Sequence, residues 1–373
     1  LPSDRHPVVI AARRTPIGTR GRALAELDVA ALAAPVIRET IADAERTLGA
    51  PVTVADVLLG NCMGPGGNPG RVAALASGLG PLVPGGTVDR QCGSGLSAIL
   101  DAAAATRVDG GMRIAGGAES ASTAPVRSMG GVPYAKAPFA PDGFPDPDMT
   151  RAAEDLAAED DIPRSRQDAH AARSHIRARA ARDAGRFDAE LVAFAELDHD
   201  DAIGAAERLL PRLTPLFPGG SLTAGTSTRI GDGAATVLVA PAGTAPGLAL
   251  RASAVIGCDP ALPGIGAAPA VRAALGAAGA EVADVTAFEI VEAFAAQSLA
   301  VLDRLGIAED DPRVCADGGA LALGHPWGAS GAVAVVRLFT RLVRGGAPPG
   351  TLGVAAASVG GGLGIAAVLE VVR

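Results

Sequence analysis

The chain has 373 residues, 49% of them hydrophobic, enough to bury a large core in one big domain or two fused halves. A net charge of -8 argues against a general nucleic-acid binder, and no run of about 18 apolar residues marks a membrane span. The 49 glycines lack a three-residue period, which excludes collagen, and the four cysteines have neither metal-finger nor Cys-x-x-Cys spacing. A reduced, cytoplasmic protein with no metal constellation and no dinucleotide fingerprint is the expectation.

In chain order, VVIAA at 8–12 reads as a buried strand, and RRTPIGTRGRAL as a turn leading to a helix near 28–48. DVLL at 56–59 reads as a strand, GNCMGPGGNPG as a loop, and 71–78 as a helix. A helix opens close to Cys92, with Leu96, Ile99, Leu100 and Ala103 on one apolar face, and MRIAGG at 112–117 is a further buried strand. Residues 121–150 are Pro- and Gly-rich and read as a long, functional loop. A charged, alanine-rich helix follows at 165–184, then short strands and loops through 186–240. PAGTAPG at 241–247 is the candidate boundary between halves. Beyond it RASAVIG opens a helix–strand–helix order at 267–278, 285–290 and 293–305. GGALALGHPWGASG at 318–331 feeds a helix to about 344, and two apolar strands about a glycine turn end the chain. Buried strands separated by helices imply an α/β protein, and the similar order of the halves hints at an internal repeat.

Cys92 precedes Gly, Ser and Gly where an apolar helix begins. Unpaired N–H groups and the helix dipole at that point favour a thiolate and lower its pKa, and small neighbours admit a substrate. The competing reading is an inert buried cysteine. His325, in GHPWG, is placed to activate a thiol or bind an oxyanion, against a plain loop or interface histidine. Glu292 either orients a histidine or caps a helix; Gly360 to Gly362 either bring N–H groups to a ligand or simply make a hairpin turn.

Four blocks together resemble the thiolase family of acyl-CoA C-acyltransferases, over essentially the whole chain: VDRQCGSGLSA at 88–98, SLTAGTSTRIGDGAA at 221–235, GGALALGHPWGASG at 318–331 and SVGGGLGIA at 358–366. RTPIG at 14–18 and GGAES at 116–120 add support. The resemblance implies a thiolase fold: two similar α/β halves in a five-layer αβαβα arrangement with a loop domain over the site. The expected division is 1–120 with 186–245 for the N-terminal half, about 121–240 for the interleaved loop region, and 246–373 for the C-terminal half. It further implies an acyl-enzyme on Cys92, activation by His325, and an oxyanion hole from the backbone N–H groups of Cys92 and Gly360. A coenzyme A thioester is then the substrate, no cofactor is tightly bound, and the protein is a homodimer or homotetramer. Ser122, Ala124, Pro125, Ala224, Gly225, Ser227, Thr228 and Arg229 fall in the segments that line the family's substrate channel.

The sequence departs from the family where the second half-reaction is made. Ser358 stands where a cysteine takes an α-proton, and a serine hydroxyl is scarcely ionised near neutral pH. Val291 stands where an asparagine holds a water for the enolate oxygen, and Glu292, Ala293 and Phe294 are kept. Thr226 and Gly231 replace asparagines, Arg229 a glycine, and the glutamine expected near Gly67 is absent. Arg229 serves a phosphate or carboxylate, or is a surface arginine. The leading expectation is therefore an acyltransferase whose Cys92 acyl group goes to an acceptor that needs no strong base. The alternatives are an ordinary acetyl-CoA acetyltransferase or 3-ketoacyl-CoA thiolase, an acyl-thioester hydrolase, and a non-catalytic thiolase-fold partner protein in a complex.

Overall fold

The computed structural model describes residues 6–134, 137–194 and 197–373. In the first half the strands β1 (Val8–Arg14), β2 (Val54–Gly60), β3 (Gly85–Val88), β4 (Met112–Ser120) and β5 (Gly231–Ala240) lie side by side in the order β1-β5-β4-β2-β3. The pairs β1–β5 and β5–β4 are antiparallel; β4–β2 and β2–β3 are parallel. The second half uses β6 (Gly247–Gly257), β7 (Val285–Ile290), β8 (Leu352–Val359) and β9 (Leu363–Val372), in the order β6-β9-β8-β7. Its pairs are again antiparallel, antiparallel and parallel, and Phe288 forms a parallel bridge to Val314 in the third-strand place. The internal repeat hinted at by the sequence is thus a repeat of strand order and sense. The half-sheets join where Val8 and Val9 pair with Ala249 and Leu248.

Five layers follow from where the helices bury. α1 (Val29–Leu48) packs its apolar stripe, Leu32, Ala33, Val36 and Ile37, on one face of the first half-sheet. Asp28 accepts the Ala31 N–H to start that helix and Gly49 ends it in the left-handed region. α6 (Ala267–Ala278) and α7 (Ala295–Leu305) cover the outer face of the second half-sheet. Between the half-sheets lie α3 (Ser94–Asp109) and α8 (Trp327–Leu338), whose Leu96, Ile99, Ala332, Val333 and Val336 share one core with strand residues of both halves. A helix enclosed by sheets is buried nearly all round, and WGASGAVAVVRL is accordingly apolar apart from Ser330 and Arg337, which find partners inside. A short helix, α2 (Pro69–Ala76), lies beside α1.

The middle of the chain holds more order than its composition suggests. The 121–150 stretch contains a hairpin, Arg127–Met129 with Val132–Tyr134. At its end Asp148 caps α4 (Met149–Glu159), a helix the sequence reading leaves inside loop and unassigned chain. α5 (Arg164–Asp183) follows the expected helix. No helix among the described residues is long and apolar enough to cross a membrane, and none of their His, Cys, Asp or Glu form a group of three that could hold a metal ion.

Candidate active site

The centre of the site is built where α3 and α8 start. Cys92 lies in a tight turn, Gln91–Gly93, that leads into α3, and Gln91 takes a left-handed φ of 44° that the side chain of Asp89 braces through two hydrogen bonds. His325 closes the Gly-rich loop just before α8, 233 residues later. The helix starts meet because four glycines remove the side chains between them. A Cβ at Gly117 would sit 2.0 Å from the Gly328 carbonyl oxygen, and one at Gly60 would sit 2.4 Å from the Gly95 nitrogen. Close docking brings Cys92 Sγ to 3.3 Å from His325 Nε2.

The histidine's tautomer follows from its other partner. Ser330 Oγ lies 2.6 Å from His325 Nδ1 and 2.9 Å from the carbonyl oxygen of Pro326. The serine has one proton, and a carbonyl can only accept it. Ser330 therefore accepts from Nδ1–H, which leaves a lone pair on Nε2 facing the thiol. Burial lowers the His325 pKa to about 4, so the ring is neutral at ordinary pH.

Burial pushes the Cys92 thiol up to about 12, with the charge of Glu119 adding to it, although the backbone N–H groups of Cys92 and Gly360 act the other way. This corrects the expectation of a lowered pKa: burial outweighs the local pull of a helix start. The resting group is a thiol aimed at a neutral base.

Glu119 was met in the sequence only as part of GGAES. It is fully buried at the end of β4 and collects the Asn61 amide, the N–H groups of Cys62 and Met63, the Cys62 thiol and the Gly328 N–H, all between 2.7 and 3.1 Å. One carboxylate thus ties the 61–63 turn to the start of α8, next to His325.

Other expected site residues fall elsewhere. The carboxylate of Glu292 does not reach for His325: it bonds His170 Nε2 at 3.0 Å and the Ser174 hydroxyl at 2.7 Å, fastening α5 to the core. Val291 is buried and borders a small cavity of about 30 Å³ shared with Cys315, Ser330 and Arg337. The Ser358 hydroxyl donates to the Gly264 carbonyl at 2.6 Å and accepts the Ala267 N–H at 3.0 Å. Gln297 Nε2 approaches the same oxygen at 3.5 Å.

The 221–230 segment runs along the histidine loop. Its main chain bridges Ser227 to Phe294 and Ile230 to His325, and the Arg229 carbonyl accepts the His325 N–H at 2.8 Å. Thr228 Oγ1 donates to Ala320 O at 2.6 Å, while the Arg229 side chain is exposed, as is Ala224. Gly225 faces Leu210 and Leu213. Ser122 is engaged by Asp232, Pro125 Cδ would stand 3.1 Å from a Cβ on Gly64, and Ala124 is half-buried.

A doubled α/β frame with a Cys–His pair between its halves defines a class of acyl-transferring enzymes. Residues 7–243 match the model for the thiolase N-terminal domain and 245–371 that for the C-terminal domain. The chain belongs to the thiolase family and is an acyltransferase. It is 41% identical to YhfS of Bacillus subtilis (strain 168), provisionally named an acetyl-CoA C-acetyltransferase, over 98% of this chain and 99% of that one. An acetyl-CoA acetyltransferase of Chromobacterium violaceum is 38% identical, over 97% and 98% of the two chains. Among solved structures, the Bacillus anthracis acetyl-CoA acetyltransferase superposes with a TM-score of 0.87 at 33% identity, covering 98% of this chain and 99% of its own. Human mitochondrial 3-ketoacyl-CoA thiolase in complex with CoA gives the same score at 29% identity, covering 99% of each.

Proposed function

We propose that the chain is an acyl-CoA C-acyltransferase of the acetyl-CoA acetyltransferase or 3-ketoacyl-CoA thiolase type, with Cys92 as its nucleophile. The observation that carries this reading is the 3.3 Å contact between the thiol and a histidine nitrogen whose lone pair faces it. The names of the similar full-length proteins favour the same reaction over the altered acceptor expected from the sequence. As Sγ attacks the thioester carbonyl, its proton passes to Nε2; the N–H groups of Cys92 and Gly360 bind the oxyanion. The bond to the coenzyme A sulfur breaks, that sulfur takes the proton from Nε2, and the acyl group stays on Cys92. A second acyl-CoA then gives its α-proton to the freed Nε2, its α-carbon attacks the acyl carbonyl, and the Cys92 sulfur leaves and takes that proton back, releasing a 3-ketoacyl-CoA. Ser227, Thr228 and Arg229 line the approach in this proposal, and the protein works as a homodimer or homotetramer.

A second reading is favoured by Ser358. Its single proton is given to Gly264 O and its lone pairs are taken by the Ala267 N–H and Gln297, so it is poorly placed to remove an α-proton. The acyl group would then pass to an amine, alcohol, thiol, acidic carbon or water.

The test is direct. Incubation with acetyl-CoA should add one acetyl group to the intact protein and none to Cys92→Ala; no adduct with any acyl-CoA would sink both readings. Acetoacetyl-CoA formation and thiolysis decide between them. If the natural chain is slow and Ser358→Cys with Val291→Asn speeds condensation about 100-fold or more, the second reading stands.

A further inference from the structure

The segment after residue 136 lies across the turn that joins β8 to β9. A Cβ placed on Gly360 would stand 2.8 Å from Cε2 and 3.1 Å from Cδ2 of Phe139. One placed on Gly361 would stand 3.2 Å from the Phe139 carbonyl oxygen and 3.3 Å from its Cβ. Ring and main chain therefore both rest on the two glycines, and a side chain at Gly360 would drive the ring away. The Phe139 N–H donates to Asp146 Oδ2 at 3.0 Å, which holds the segment in a closed loop. Gly360 follows Val359, whose Cγ2 would stand 2.9 Å from a Cβ on Gly93, next to Cys92. Gly360 thus carries the ring beside the turn that holds Cys92. The half-buried ring is an apolar wall near the place where an acyl group on Cys92 must lie.

We propose that Phe139 limits the length of the acyl group, so that Cys92 accepts short acyl chains and rejects medium ones. This rests on the acyl-enzyme reading above and names its substrate class. The wall acts by excluded volume: a short acyl group ends before the ring, and a longer chain must displace an aromatic side chain packed on glycine backbone.

Initial rates of Cys92 acylation, read by intact mass, test it in the full chain with acetyl-, butyryl- and hexanoyl-CoA. The natural chain should take acetyl at least about tenfold faster than hexanoyl. Phe139→Ala should shrink that ratio about tenfold or more by raising the hexanoyl rate, and Phe139→Leu should do so in part. Equal acetyl and hexanoyl rates in the natural chain would overturn the proposal. So would variants that lower all three rates in proportion, the signature of a merely structural residue. Absence of any acylation would instead overturn the acyl-enzyme reading, and this inference with it.

Discussion

At the scale of single residues, the site works by keeping two ionisable groups neutral. His325 is the clearer case. Its pKa is about 4 in the folded protein against an ordinary value of 6.5. Between those values the unfolded chain binds the extra proton and the folded one does not, so the contribution to stability is full above pH 6.5 and is lost as pH falls toward 4. On moving from pH 7 to pH 5, the natural chain should lose roughly 2 kcal/mol more unfolding free energy than His325→Asn. Urea denaturation at the two pH values measures it, and equal losses would show that the histidine is not held neutral. The residues of this pair were legible in the sequence because each sits in a contiguous motif. Their ionisation was not: the pull of a helix start is local, whereas the burial that overrides it exists only once the chain has folded. Ser330 and Glu119 were missed for the same reason. Each is an ordinary member of its motif until folding sets it beside its partner.

At the scale of elements, position depends on how closely backbone meets backbone. β4 passes α8 at Gly117 with no room for a methyl group: an added Cβ would lie 2.0 Å from the Gly328 oxygen, 2.7 Å from its carbon and 2.8 Å from the Ala329 Cα, none of which is a flexible side-chain end. Gly117→Ala should cost about 1–3 kcal/mol of stability. It should also slow acylation of Cys92 by pushing α8, and His325 with it, off the first half. A variant with natural stability and natural acylation rate would show that the contact is slack. Most elements were readable from hydrophobic period and turn residues, including the exact span of α6 and the glycine-turned end hairpin. α4 was not, because Pro- and Gly-rich chain immediately before Asp148 masks the start of a short helix whose evidence is one capping side chain.

At the scale of the whole molecule, a buried charge network joins the halves through the intervening chain. Glu190 accepts from Arg14 Nε at 2.7 Å and from Arg337; Arg14 also grips Asp200, and Arg337 also grips Asp317. Both guanidinium groups stand over the ring of Phe187, Arg14 Cζ at 5.4 Å and Arg337 Cζ at 4.6 Å from its centre. Burial pushes the Glu190 carboxyl up, and Arg337 and Arg14 more than reverse it, so it stays ionised. Glu190→Ala would leave two buried arginines short of a partner and should cost about 3–5 kcal/mol. A shift in denaturation midpoint worth less than about 0.5 kcal/mol would mean that water or Asp200 and Asp317 take up the loss. The network was invisible in the sequence, since Arg14 came into view only as part of RTPIG and Glu190 in no motif at all.

The repeated strand order bears on the reacting pair itself. α3 follows the third strand of its half and precedes the fourth; α8 follows the Val314 bridge, which holds the third-strand place, and precedes β8. Cys92 and His325 therefore stand at corresponding points of the two copies, each at the entry of the central helix. Were the copies alike in side chains as they are in strand order, the axis relating them would set thiol against thiol or imidazole against imidazole, and no proton could move downhill between them. A nucleophile needs an unlike neighbour. The duplicated frame supplies the meeting point, and the chemistry begins where the two copies stop being equivalent.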